Sequence, residues 1–341
     1  MLQVQENVDI KDYCTIHIGG QFRYFAIIKT KEEITEAIEF ARKNNTRLFM
    51  LGGGSNIVFT DKVLDVLALK IEIEGFEIIE NTDDYAVIKV GAGENWDIFV
   101  SRTVVSNLSG LEALSAIPGT VGATPVQNVG AYGQEVKDTI VSIEVFDIQN
   151  KVIKTLTNTE CKFAYRDSIF KHEDKNKYII LTVTFKLSKK NPEIPHYIDV
   201  KKYFIQNNIN TPTLLEIRNA IIHIRGYKLP DPKVIFNVGS FFKNPIVSSD
   251  VAKKLKNNNP ELTIYPIDED HTKVPAGWLI EKAGLKGKNF GPLSLYNKNA
   301  LVLVNNGNAT YEDIISVRDQ IIKTVFDKFG ITLEQEPEII K

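Results

Sequence analysis

The stretch from Ser115 to Glu135, SAIPGTVGATPVQNVGAYGQE, constrains this chain more than any other. Its small residues keep neither a helical nor a strand period. A long loop inside a folded chain is costly to order, and such loops tend to carry function. Gly119, Gly122, Gly130 and Gly133 are interleaved with Thr120, Thr124, Gln127 and Asn128. The result is a surface dense in hydrogen-bonding groups and poor in charge, which suits an extended neutral-to-anionic ligand such as a dinucleotide.

Two shorter glycine segments point the same way. Gly52, Gly53, Gly54, Ser55 and Asn56 sit between the apolar runs RLFML and IVF. Glycines let backbone N–H groups approach an anion closely and form a nest for phosphate. The segment is neither a Rossmann fingerprint nor a G-K-[ST] phosphate loop, and by itself it reads more readily as a tight strand-to-strand turn. GAGEN (91–95) ends a strand and opens a helix, a place that favours an anion.

Composition narrows the function classes. The 341 residues carry 41 Lys and Arg against 43 Asp and Glu, a net charge of −2. That balance argues against a nucleic-acid-coating protein but permits a local basic pocket. Length suggests two or three domains. Cys14 and Cys161 read as idle thiols in a reducing compartment rather than a disulfide framework. The five histidines show no zinc-site spacing, so no metal is expected. The N-terminus lacks a signal-peptide pattern, and no run approaches the roughly 18 apolar residues of a membrane helix. The expectation is a soluble, cytoplasmic protein with no membrane insertion, no nucleic-acid partner and a monomeric state.

Local patterns give the elements. Thr30 and Glu33 form a capping box opening a helix over 31–44. Residues 65–90 read as strands, 95–107 as a helix, and 140–147, 151–156 and 178–187 as strands. Residues 188–196 read as a boundary. A helix is expected over 211–226 with Pro212 in its first turn, followed by helices at 247–256 and 275–284 and a strand at 300–304. Thr310 and Gly330 bracket a further helix, and the tail ITLEQEPEII reads as a strand. The class is α+β.

GGGSN, GAGENW, IPGTVGATPVQNVGAYG (117–133), YRDSIFK (165–171), KLPDPK, GSFFKNP and LEQE (333–336) follow one another in this order. Together they closely resemble the UDP-N-acetylenolpyruvoylglucosamine reductase family over nearly the whole chain. The resemblance implies a two-subdomain FAD-binding domain of the vanillyl-alcohol oxidase type plus a separate α+β substrate-binding domain. Its boundaries would be 1–65 joined by 321–341, then 66–209, then 210–320. It also implies non-covalent FAD, with NADPH as co-substrate. FAD would contact Gly52, Gly53, Gly54, Ser55 and Asn56, and also Ile117, Pro118, Gly119, Gly122, Ala123, Thr124, Gln127, Asn128 and Gly130.

The implied reaction reduces the enolpyruvyl ether of UDP-N-acetylglucosamine enolpyruvate to the lactyl ether of UDP-N-acetylmuramate, in peptidoglycan precursor synthesis. Hydride from flavin N5 goes to the terminal carbon, a cation stabilises the enolate, and a positioned acid protonates the adjacent carbon. Arg166 matches the family's active-site arginine, Ser240 the proton donor and Glu336 the glutamate that, with Arg166, stabilises the enolate, either by orienting the enol system or as the acid partner of Ser240. Gln335 stands where proline is frequent, and a register on E-P-E would select Glu338; Leu333 and Glu334 anchor the choice of Glu336. Tyr197 matches a tyrosine that closes over substrate in one branch of the family. Lys228 and Asn244 match positions near the diphosphate and nicotinamide phosphates, and Lys233 either assists or is solvated. Cys14 stands where the family commonly has asparagine, and neither Cys14 nor His17 gives a basis for covalent flavin. A flavin oxidase of the same fold would explain the glycine loops but not GSFFKNP or the glutamate tail. A non-catalytic sugar-nucleotide sensor would leave the joint presence of Arg166, Ser240 and Glu336 unexplained.

Overall fold

The structure, a computed structural model, describes residues 2–341. It is a mixed α+β chain of two compact units. The first comprises the described residues through Val8, Phe22–Gly54 and Leu64–Gly226; the second comprises Asp9–Gln21, Ser55–Val63 and Tyr227–Lys341.

In the first unit, helix α1 (Lys31–Lys43) starts where the sequence places it. Thr30 Oγ1 accepts the Glu33 N–H, and the Glu33 carboxylate accepts the Thr30 N–H at 3.1 Å. Ile34, Ala37 and Ala41 lie on its buried face, packed with Leu67 and Leu69 of a four-stranded sheet. That sheet runs Val4–Asp9, Gln21–Ile28, Leu64–Ile71, Arg47–Leu51, with the last three strands parallel. A parallel pair needs a crossover, and α1 supplies it between Gln21–Ile28 and Arg47–Leu51.

A second, antiparallel sheet has the order Val152–Thr157, Ile140–Asp147, Tyr178–Ser188, Tyr85–Gly91, Phe76–Asn81. Helix α2 (Trp96–Val105) packs on it through Trp96 and Phe99, whose ring meets Phe185 at 5.0 Å. Helices α3 (Ile198–Gln206) and α4 (Leu214–Lys228) form a small apolar cluster of their own from Val200, Phe204, Ile217, Ala220, Ile221 and Ile224.

The second unit holds two three-stranded sheets. One runs Asn237–Ser240, Val302–Asn305, Leu293–Leu295 and the other Ile246–Ser248, His271–Lys273, Tyr265–Pro266. Its helices are α5 (Ser249–Asn258), α6 (Ala276–Lys282) and α7 (Tyr311–Phe329). Thr310 caps α7 and Gly330 closes it at φ 66°, a left-handed turn that favours glycine. The tail strand Glu338–Ile340 runs parallel to Ile57–Phe59. No helix among the described residues is long and apolar enough to cross a membrane.

Several local expectations change. Helix α4 begins after Pro212, because Thr213 and Glu216 exchange the bonds of a capping box: Thr213 Oγ1 accepts the Glu216 N–H at 3.2 Å, and the Glu216 carboxylate accepts the Thr213 N–H at 2.8 Å. Helix α3 follows directly on the segment read as a boundary. Only the last residues of the expected tail strand find a partner strand.

Asp147 ends a central strand with its side chain buried. It accepts the Asn150 N–H at 2.9 Å, the Asn150 amide at 2.8 Å and the Lys154 ammonium at 2.6 Å. These donors, Lys154 first, hold its carboxyl well below the ordinary value of 3.8. A depressed folded-state pKa stabilises fully above the unfolded value and loses that contribution as pH falls below it. Asp147→Asn is therefore expected to lower the urea midpoint at neutral pH and to flatten the loss of stability below about pH 4. An unaltered acid profile would contradict this.

Candidate active site

The first group of candidate residues builds up from contacts in which glycines allow backbones to touch. A Cβ on Gly53 would lie 2.8 Å from the Gly119 Cα, and one on Gly52 would lie 3.0 Å from Thr120 Oγ1. Gly54 turns left-handed at φ 63°. The 52–54 turn thus lies directly on residues 119–123.

GAGEN proves to be the scaffold for that contact. The Trp96 N–H goes to the Gly119 carbonyl at 3.1 Å and the Ile98 N–H to Asn95 Oδ1 at 3.0 Å. The Val121 and Gly122 N–H groups go to the Glu94 and Ala92 carbonyls at 2.9 and 2.8 Å. With leading amides of α2 engaged in this way, the segment pins the loop instead of offering them to an anion. Gly122 has no room for a side chain, since a Cβ would sit 2.5 Å from that of Ala92. Thr124 is buried, its hydroxyl donating to the Val121 carbonyl.

The far end of the loop holds the YRDSIFK turn. Asn128 is fully buried at φ 47°. Its amide donates to the Ala164 carbonyl at 2.9 Å and Glu135 Oε2 at 3.0 Å, and its Oδ1 accepts the Lys137 N–H at 3.1 Å. Ser168 Oγ donates to the Val126 carbonyl at 2.6 Å. Between these clamps Arg166 adopts φ 56°, a conformation costing a non-glycine residue on the order of 1 kcal/mol. Its Nη2 donates to the Gly130 carbonyl at 2.7 Å, and its guanidinium lies over the Tyr165 ring. Asp167 faces His172 at 2.8 Å. Arg166 is therefore held beside the loop.

Tyr197 stands at the N-terminus of α3, not on a strand edge. Its ring meets Tyr132 edge-on, with centroids 5.4 Å apart. Tyr132 and Arg225 were not expected from the sequence. Burial raises the Tyr132 hydroxyl's pKa, with Arg225 opposing, and burial lowers that of the Arg225 guanidinium. The spacing of Arg218 and Arg225, seven residues apart on one helix, was the available signal.

The second unit brings together Ser240 and the glutamate tail. Strand Asn237–Ser240 pairs with Val302–Asn305 through an irregular register, with Gly239 at φ 71°. Asn237 shapes this bulge: its Oδ1 accepts the Gly239 N–H at 2.9 Å, and its amide donates to the Ile235 carbonyl at 2.7 Å. No atom lies within 4 Å of a Cβ on Gly239, so its backbone angle demands glycine, not crowding. Ser240 is half-buried, and its hydroxyl makes no bond to another described residue.

Beyond the bulge, Phe241 and Phe242 are core residues. The Glu336 N–H donates to the Phe241 carbonyl at 2.9 Å and the Lys243 N–H to the Glu334 carbonyl at 2.9 Å, with Phe242 opposite Gln335. Arg318 of α7 donates to Gln335 Oε1 at 2.8 Å. Glu338 lies elsewhere, its N–H on the Asn56 carbonyl at 3.1 Å. Asn244 Oδ1 accepts the Ala276 N–H at the start of α6. Lys228 ends α4, and Lys233 is exposed, with its N–H on Asp231. Cys14 is buried, with its thiol donating to the Ile18 carbonyl, and His17 stacks on Phe236 at 3.8 Å.

The sequence pattern described as "FAD binding domain" matches residues 22–156, and that described as "UDP-N-acetylenolpyruvoylglucosamine reductase, C-terminal domain" matches 231–340. A UDP-N-acetylenolpyruvoylglucosamine reductase of Flavobacterium johnsoniae is 45% identical over 340 residues, 99% of this chain and 100% of its own length. The chain belongs to the UDP-N-acetylenolpyruvoylglucosamine reductase family. The family's protein from Bdellovibrio bacteriovorus is 42% identical over 98% of the chain and 99% of its own. The crystal structure of the reductase from Thermus caldophilus shares the fold, with a TM-score of 0.70 at 23% identity over 100% of both chains. Membership makes the chain an FAD-dependent oxidoreductase. The Gly52–Gly53 turn against residues 119–120 is a surface of side-chain-free backbone, a chemistry that fits a phosphate-bearing cofactor.

Gly53→Ala is expected to force the two backbones apart. The cost should be about 1–3 kcal/mol of apoprotein stability by urea denaturation, as for other overpacked sites. Wild-type stability in that variant would show that the contact is slack.

Proposed function

We propose that this reductase converts UDP-N-acetylglucosamine enolpyruvate to UDP-N-acetylmuramate at the expense of NADPH, supplying a peptidoglycan precursor. One observation carries the reading: the 45% identity to a named reductase extends over 99% of the chain. FAD, held by the residues named below, would supply the two-electron chemistry that couples oxidation of NADPH to reduction of the enolpyruvyl double bond.

The chain's own residues have three tasks. Gly52, Gly53, Gly54, Ser55 and Asn56, with the loop from Ile117 to Gly130, bind and orient the cofactor. Asn128 does so by positioning, since its amide spans Ala164 and Glu135. Arg166 binds the substrate carboxylate, where negative charge grows as the double bond is reduced. A guanidinium remains charged and offers a paired fork for a carboxylate. Ser240 Oγ donates the proton to the carbon bearing the ether oxygen. Glu336 supports that transfer, and its backbone bond to Phe241 keeps its segment beside the Ser240 strand. Lys228 and Asn244 bind phosphate groups, and Tyr197 closes over the substrate. The regions 1–65 with 321–341 and 66–209 serve the flavin in this proposal, and 210–320 the substrate.

The test is NADPH oxidation by the purified yellow protein. It should require the enolpyruvyl nucleotide, and NADPH consumption indifferent to that nucleotide would refute the proposal. Ser240→Ala is expected to lower turnover by about 10²–10⁴-fold, as loss of general acid catalysis does. Flavin reduction by NADPH in that variant should stay within about threefold of the parent rate. Equal losses in both half-reactions would remove Ser240 from the acid role.

A further inference from the structure

We propose that Asp97 and Arg218 are positioning residues for the cofactor loop, their ion pair fixing the residue at which that loop begins. The inference rests on the reading that residues 117–130 bind FAD.

Asp97 lies in the first turn of α2. Its two oxygens take both arms of the Arg218 guanidinium, at 2.7 and 2.9 Å. Bidentate pairs of this kind fix geometry as well as charge. The Arg218 side chain is only 10% exposed and that of Asp97 35%, so the pair is partly shielded from solvent screening.

A plain brace between two helices would end there. Here Asp97 Oδ1 also accepts the Ala116 N–H at 2.6 Å. The Ala116 carbonyl in turn accepts Arg225 Nε at 3.3 Å. Ala116 is thus held on its N–H side from α2 and on its carbonyl side from α4. Arg218 and Arg225 lie two helical turns apart on one face of α4, so a single helix face governs both holds.

The held residue is itself unusual. Ala116 adopts φ 58°, which a residue bearing a Cβ takes up only when its surroundings impose it. Three residues later Gly119 meets Gly53 backbone to backbone, and Tyr132 near the loop's far end faces the same Arg225. Releasing Ala116 would move the loop where it meets the glycine turn. The carboxylate is ionised in this setting: burial opposes its charge, but Arg218 and the Ala116 N–H prevail and hold its pKa below the ordinary range.

The experiment compares Asp97→Asn and Arg218→Lys with Asp147→Asn, which removes a buried carboxylate from a turn of the antiparallel sheet. FAD is titrated into apoprotein, followed by quenching of flavin fluorescence. The visible absorbance envelope of the loaded protein is recorded, and stability is measured in urea. Asp97→Asn and Arg218→Lys should each weaken FAD binding at least about tenfold and alter the envelope, as loss of a charge-assisted bond at a positioned loop would. Asp147→Asn should lose stability with FAD affinity within about threefold of the parent. Should Asp97→Asn fail to fold, Arg218→Lys decides, since it keeps charge and packing but loses the fork. Reduced stability with parental FAD affinity and absorbance in the Asp97 and Arg218 variants would overturn the proposal. Failure of the unsubstituted protein to bind FAD would instead overturn the assignment of the loops.

Discussion

The first unit's candidate site depends on a close approach of two backbones. Gly53 lies against Gly119 at a separation that admits no Cβ. Most of what surrounds this contact holds it in place. GAGEN spends its carbonyls and the first amide of α2 on residues 119–122, Asn128 and Ser168 tie the loop to the YRDSIFK turn, and Asp97 fixes Ala116. A loop this long loses much conformational freedom on folding. Here that loss is offset by buried hydrogen bonds spread along its length.

In the second unit the constraint is a bulged strand end. Gly239 in a left-handed conformation and Asn237 bonded to the bulge present Ser240 at the end of the strand with its hydroxyl unspent. The chain's tail then bonds the following residues, Glu336 to Phe241 and Glu334 to Lys243. The Ser240 hydroxyl and the Glu336 carboxylate, distant in sequence, are thereby carried on bonded backbone segments.

Much of this was legible in the sequence, and for identifiable reasons. The capping box at Thr30, the cap at Thr310, the glycine stop at Gly330 and the periodicity of α1 are local signals, and local physics decides them. The glycine segments, Arg166, Ser240 and Glu336 were visible because their residue types stand in an ordered series of motifs. The start of α4 was misplaced because Thr213 and Glu216 cap it more strongly than Pro212 does. Asn237 went unread although the bonds that shape its bulge are local, to Gly239 and Ile235. The seven-residue spacing of Arg218 and Arg225 marks one helix face but not its partners, since Asp97 and Arg218 lie 121 residues apart and no local pattern encodes their bond. The anion-binding reading of GAGEN missed that Gly91, Ala92 and Gly93 give their N–H groups to the carbonyls of Gly75, Leu181 and Ile73.

The central claim is that this chain passes electrons from its flavin to an enolpyruvyl nucleotide. The most direct measurement is anaerobic. The flavin is reduced with one equivalent of NADPH, and its visible band is then followed in a stopped-flow instrument as UDP-N-acetylglucosamine enolpyruvate is added. The oxidised band should return rapidly, with one equivalent of UDP-N-acetylmuramate formed. A flavin that stays bleached until oxygen is admitted would contradict it.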